Sequence, residues 1–319
     1  MNTPSRRITR RLIGAVAGLA LLAAACGSDD SSSEAPSVEV TSPDGGTNPS
    51  GETASSIPSS AIDQRVVSLS PTHTEMMFAI GAGDQLIAVD EFSDYPAEAK
   101  ELPSDLSAFD NNVEAIAAYE PDLVLIGGDF NGLGPQLDEL GIEWWDGPAA
   151  STIDDTYRQI EELGAATGRA AEADALVAEM QSEIEAIIAA TPTSSEPLTI
   201  FHEVDETLFS IDSTTFIGEL YALLGLRNIA DTAEGESGGY PRLSAEFIVS
   251  ADPEIIFLAD TKFSGQSLET VAARPGWGDL TAVQNGDVVE LDDDVASRWG
   301  PRIVEFLLAV SDGVTNATS

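Results

Sequence analysis

The sequence has one cysteine, two histidines and few basic side chains, and each shortage removes a class of function. Cys26 has no partner for an intramolecular disulfide and leaves no CxxC redox or metal site. The fold therefore holds without covalent staples. A zinc or manganese centre wants several imidazoles or carboxylates converging on one point, so His73 and His202 would need acids such as Glu203 and Asp205 to complete one. Only 14 Lys and Arg stand against 55 Asp and Glu. Four of those cations, Arg6, Arg7, Arg10 and Arg11, precede residue 12, leaving ten against 55 and a net charge of −45 beyond the leader. Such a surface repels phosphate backbones and anionic headgroups, which excludes nucleic acid as a partner. No GxxxxGK[ST] phosphate loop and no HExxH motif occurs. The longest apolar run, Leu12 to Ala25, has 14 residues, short of the roughly 20 that span a bilayer.

The chain nevertheless has material for a core. It is 43% hydrophobic over 319 residues, enough for one large or two ordinary domains. The charged Arg6–Arg11 stretch, the apolar run and the small residues Ala23-Ala24-Ala25 follow one another as in a cleaved signal peptide, residues 1–25. Cys26 sits where cleavage is expected and resembles the lipidated cysteine of a bacterial lipobox, with Ala23 where Leu is usual and Leu22 one step earlier. This implies an extracytoplasmic protein held to the cell membrane by a lipid anchor. The arginine pairs hint at twin-arginine export. From Gly27 to Ser60, 11 of 34 residues are Ser and none is aromatic, so residues 26–61 read as a disordered polar tether with a reach of roughly 30–35 Å.

From Ile62 onwards strands and helices alternate. Arg65 to Ser70, Leu86 to Val89 and Asp122 to Ile126 read as strands; Thr74 to Ile80 and Val113 to Tyr119 read as helices. That alternation predicts an α/β fold with parallel-rich sheets. The pattern repeats. Val113-Glu114-Ala115-Ile116 through Pro121-Asp122-Leu123 aligns with Ala245-Glu246-Phe247-Ile248 through Pro253-Glu254-Ile255, and Glu75–Gly81 aligns with Glu219–Gly225. Two similar lobes, 62–150 and 193–319, are expected, with a ligand cleft between them. The segment 151–192 between them reads as helical, with Ser151 as N-cap and a stiff piece from Ala170 to Ala190 that would be about 30 Å long.

Candidate chemistry divides the same way. Gly235-Glu236-Ser237-Gly238-Gly239 satisfies GxSxG, but both histidines precede Ser237, whereas the serine hydrolase order puts His after Ser. A tethered serine hydrolase is thus disfavoured, and no catalysis is expected. An amphipathic or planar ligand needs aromatic walls and a few placed polar groups. Phe92, Tyr95, Phe109 and Phe130 in the first lobe, and Phe209, Tyr240 and Trp299 in the second, occupy post-strand or loop positions suited to that. Arg242 and Arg298 stand out in so acidic a chain; they pair with ligand carboxylates or with the protein's own Asp and Glu. His73 and His202 lie at strand ends, where they either contact a ligand or are ordinary hydrogen-bonded histidines.

Lipobox, tether, paired lobes and stiff joining helix resemble the class III substrate-binding proteins of ABC importers. The likeness extends to Val67-Ser68-Leu69-Ser70-Pro71, Ser93-Asp94-Tyr95-Pro96, Asn112-Val113-Glu114 and Gly300-Pro301-Arg302-Ile303, and covers residues 63 to 310. It is strongest to the branch that carries vitamin B12, ferric siderophores and haem. The resemblance implies a binding protein without a cofactor of its own, whose cargo is a cobalt or iron chelate, cobalamin or a ferric siderophore, with haem or a free metal as alternatives. Related proteins for free zinc or manganese typically have three His and an acid, which this chain lacks. It also implies that Phe92 and the Asp294–Arg298 segment contact the ligand, although no aromatic lies inside that segment and Trp299 follows it. Finally, it implies a monomer that delivers to an ABC permease homodimer with its ATPase subunits, with Glu114 and Glu246 as the docking residues. The plainer reading of those two glutamates is an acid in a first helical turn, where it is ordinarily favourable.

Overall fold

Short apolar runs too brief for helices pair into two small parallel sheets. The computed structural model describes residues 63–110, 112–233 and 238–319. The signal segment, Cys26, the tether and Ser237 lie outside these. In the first lobe β1 (Val66–Ser68), β2 (Leu86–Val89), β3 (Leu123–Ile126) and β4 (Glu143–Asp146) form a sheet of order β2-β1-β3-β4. In the second, β5 (Thr199–Glu203), β6 (Arg227–Asn228), β7 (Ile255–Leu258) and β8 (Val288–Glu290) repeat that order as β6-β5-β7-β8. Every pairing within the two sheets is parallel. The internal sequence repeat is thus a repeat of topology.

Period-two alternation sends side chains to opposite faces of each sheet. In the first, Val67, Val124 and Ile126 pack into an outer core while Val66, Leu123 and Leu125 face inward. In the second, Phe201, Ile256 and Leu258 face outward while Ile200, Ile255 and Phe257 face inward. The two inward faces belong to one continuous hydrophobic cluster. It is bridged by α4 (Ile153–Thr167), α5 (Ala170–Ala190) and the C-terminal α10 (Ile303–Ala317).

The helix termini follow from local chemistry. Pro71 opens α1 (Pro71–Ala79) and Ser70 caps it, its side chain accepting from His73 N, so the helix starts earlier than the apolar pattern alone indicates. The N-cap of α4 is Thr152 rather than Ser151, because Asp155 closes a capping box with Thr152. Gly168, with φ 72°, ends that helix, and a Cβ on Gly164 would run into Ala173. Thus α4 and α5 form a close-packed hairpin instead of a single rod. The remaining helices are α2 (Val113–Ala117), α3 (Leu133–Leu140), α6 (Phe216–Leu223), α7 (Ala245–Ala251), α8 (Leu268–Ala272) and α9 (Thr281–Asn285). None of the helices among the described residues is long and apolar enough to cross a membrane.

Candidate functional site

In an open parallel sheet, the loops after two strands that run to opposite sides diverge and leave a crevice at the carboxyl ends. The order β2-β1-β3-β4 puts that switch point between β1 and β3. A cavity of about 630 Å³ opens there, lined by Leu69, Ser70 and Pro71 after β1 and by Ile126, Gly127 and Gly128 at the end of β3. Phe92, Phe109 and Phe130 form aromatic wall, and Trp299, from the segment after β8, is the contribution of the second half of the chain. Phe92 and Phe109 meet edge to face at 6.0 Å. They are 47% and 78% exposed and Phe130 is 84% exposed, a state that costs apolar hydration unless something covers the rings.

The loop holding Phe130 is built by carboxylates. Gly128 N–H donates to Asp146 Oδ1 at 2.8 Å, and Asp129 Oδ1 accepts from Leu133 N–H and Gly134 N–H at the start of α3. Trp299 is fixed from behind: its indole N–H donates to Gln159 Oε1 at 2.9 Å, and its carbonyl accepts from Thr156 Oγ1.

Both histidines are interior. His73 is fully buried, its Nε2 3.3 Å from the same Gln159 oxygen and its ring 4.9 Å from Trp145 and 6.1 Å from Trp299. Burial lowers its pKa to about 4, so it is neutral at pH 7. His202 is likewise buried, with Nδ1 2.8 Å from Tyr221 Oη and a pKa lowered to about 3 by desolvation. Each ring is thus hydrogen-bonded inside the protein, and neither histidine lines the cavity. Nor do Glu203 and Asp205 complete a metal site. Glu203 is wholly buried in a two-pronged pair with Arg274, at 2.5 and 2.6 Å, and Asp205 accepts from Thr207. Among the described residues no group of three or more His, Cys, Asp or Glu is placed to hold a metal ion.

Of the nine residues expected at a ligand, Phe92, Phe109, Phe130 and Trp299 converge and the others do not line this cavity. Tyr95 lies under Arg302, whose guanidinium is 4.2 Å from its ring centre. Phe209 and Tyr240 are exposed on the second lobe, and Arg242 donates to Thr207 O with its guanidinium 6.0 Å from the Phe209 ring. Arg298 takes the second of its two expected roles. It pairs with Glu75 at 2.6 Å, Asp294 at 2.9 Å and Asp94 at 3.1 Å, and donates to Phe92 O. Asp90 and Phe263 escape the sequence reading. Asp90 follows β2 and lines the cavity; Phe263 is 80% exposed after β7. The signal that finds both is position, since each stands just beyond the carboxyl end of a parallel strand.

Residues 66–295 match the family described as periplasmic binding protein. An ABC transporter substrate-binding lipoprotein of Bacillus subtilis (strain 168) is 29% identical over 259 residues, 79% of this chain and 80% of that protein. The crystal structure of a periplasmic vitamin B12-binding protein of Vibrio cholerae shares 27% identity at a TM-score of 0.66, covering 80% of this chain and 98% of that one. A periplasmic haem-binding protein of Roseiflexus shares the fold, with a TM-score of 0.69 and 24% identity over 81% of this chain and all of that one.

Proposed function

The chain belongs to the periplasmic binding protein family, and on that footing we propose that it is the substrate-binding lipoprotein of an ABC importer, taking up cobalamin or a ferric siderophore. It is a binding protein and not an enzyme, as its relatives are. The observation that carries the ligand class is the convergence of Phe92, Phe109, Phe130 and Trp299 on one apolar cavity at the switch point. Such a wall suits the flat, partly apolar body of a large chelate. The protein works outside the cytoplasm as a monomer, held to the membrane through a lipid on Cys26, and passes its cargo to a permease homodimer coupled to ATPase subunits.

Titration with cyanocobalamin and ferrioxamine B, read by calorimetry and by tryptophan fluorescence, tests the ligand class. Saturable binding is expected, weakened several-fold by Phe92→Ala or Trp299→Ala, since stacking adds about 0.5–1.5 kcal/mol to simple burial. Binding unaltered in both variants would move the site elsewhere. Cys26→Ser is expected to leave the membrane fraction; retention there would remove the lipid anchor from this reading.

A further inference from the structure

The aromatic cavity has a one-sided polarity. Among the described residues no Lys, Arg or His lines it, and the ionisable groups in its lining are Asp90 and Asp129. Asp129 is engaged in capping α3. Asp90 is only 1% exposed, yet it forms part of the lining. Its Oδ1 accepts from Ser93 Oγ at 2.5 Å, and among the described residues the hydrogen bonds that its carboxylate receives come from Ser93 alone. A carboxylate held among aromatic and aliphatic groups and hydrogen-bonded by a single residue has acceptor capacity left for a donor from outside. Arg298, the cation near it, is already turned to Glu75, Asp94 and Asp294.

We propose that Asp90 is the charge-selective contact of the cavity, accepting an N–H or cationic group of the ligand and rejecting chelates whose periphery is carboxylate or catecholate. The inference rests on the chelate-binding reading and narrows it. It favours an amide-fringed corrinoid or an ammonium-bearing ferric hydroxamate and disfavours haem, whose propionates would meet Asp90 with like charge in an apolar setting. Burial raises the Asp90 pKa to about 6, the Ser93 hydroxyl, Arg298 and the Ser93 backbone N–H opposing this and Glu91 adding to it. That shift is the mark of a carboxylate whose charge the protein alone leaves under-compensated.

The test compares cyanocobalamin, ferrioxamine B and haemin on the parent protein and on Asp90→Asn, by calorimetry or absorbance. The parent is expected to bind at least one of the first two about tenfold or more tighter than haemin. Asp90→Asn keeps an acceptor oxygen and loses the charge, and is expected to shrink that ratio by about tenfold, with haemin gaining. A parent that binds haemin as tightly as the others overturns the inference without any variant. A ratio unchanged in a folded Asp90→Asn protein also overturns it, while chelate binding as such stands. A parent that binds none of the three overturns both this inference and the function from which it proceeds.

Discussion

At the scale of single residues, the aromatic wall depends on a glycine. Gly128 has φ 108°, and a Cβ there would run into the Phe130 ring. Gly128→Ala therefore imposes about 1–3 kcal/mol of backbone strain and displaces Phe130 as well. Gly141 is the control: it ends α3 with φ 72° and has nothing near its absent Cβ, so alanine there strains the backbone without touching the cavity. Both variants are expected to melt earlier, but only Gly128→Ala to lose affinity for cyanocobalamin, several-fold by calorimetry. Equal affinities in the two would detach Phe130 from binding. The aromatic positions were legible in the sequence because rings just after strands rarely find a core to enter. Phe92, Tyr95, Phe109, Phe130, Phe209 and Tyr240 are all at least 38% exposed. Their directions were not legible: Tyr95, three residues beyond Phe92, turns to Arg302 instead. Residue type alone did not mark Asp90 among 55 acids, since nothing in it separates a buried carboxylate from a solvated one; only its place after β2 does.

At the scale of elements, the repeated glutamates are joints. Glu75 in α1 is gripped by Arg298 at 2.6 Å and Arg302 at 3.5 Å, from the segment that leads into α10. Its repeat partner Glu219 in α6 accepts from Ile153 N–H at the start of α4, at 3.0 Å. Each lobe thus uses the same helix position to hold a chain segment arriving from outside its own sheet. The Arg298 side chain is 10% exposed and that of Glu75 is 2% exposed, so truncating this cation leaves a buried carboxylate with only the longer pair to Arg302. Arg298→Ala is expected to cost about 3–5 kcal/mol, a Tm fall of about 10 °C for a fold of this size. Glu75→Gln combined with Arg298→Met should recover part of the loss, because removing both charges also removes the desolvation cost. A Tm unchanged by Arg298→Ala in thermal unfolding would show the clasp contributes nothing. Sequence reading reached α5 to the residue, Ala170–Ala190, since Gly168 ends the helix before it and Thr191-Pro192 stops it. It could not reach the clasp, whose partners lie 223 positions apart.

At the scale of the whole molecule, a continuous core lies beneath both sheets, and what the two lobes present is set by the repeat. Helices α2 and α7 immediately precede the third strand of their sheets, β3 and β7. A crossover helix runs antiparallel to its strands, so its first turn lies toward their carboxyl ends, the side on which the cavity opens. Glu114 stands in the first turn of α2, capped by Asn112, and Glu246 in the first turn of α7, capped by Ser244. Both are exposed, and neither makes a side-chain hydrogen bond or ion pair among the described residues. A first-turn acid is worth about 0.3–1 kcal/mol to its own helix, which explains one such residue and is indifferent to whether the other lobe carries its counterpart. Two matched, unspent carboxylates flanking the ligand side suit a partner that is itself two-fold, as a permease homodimer is. Charge pairs at such an interface set orientation and on-rate, and losing one that becomes buried costs about 2–5 kcal/mol. Glu114→Ala with Glu246→Ala is therefore expected to keep the parent affinity for ligand and to abolish uptake in a reconstituted importer, with each single variant intermediate. Because ligand affinity and uptake are read separately, a defect in capture cannot pass for one in delivery. Normal uptake by the double variant would return both glutamates to the service of their own helices.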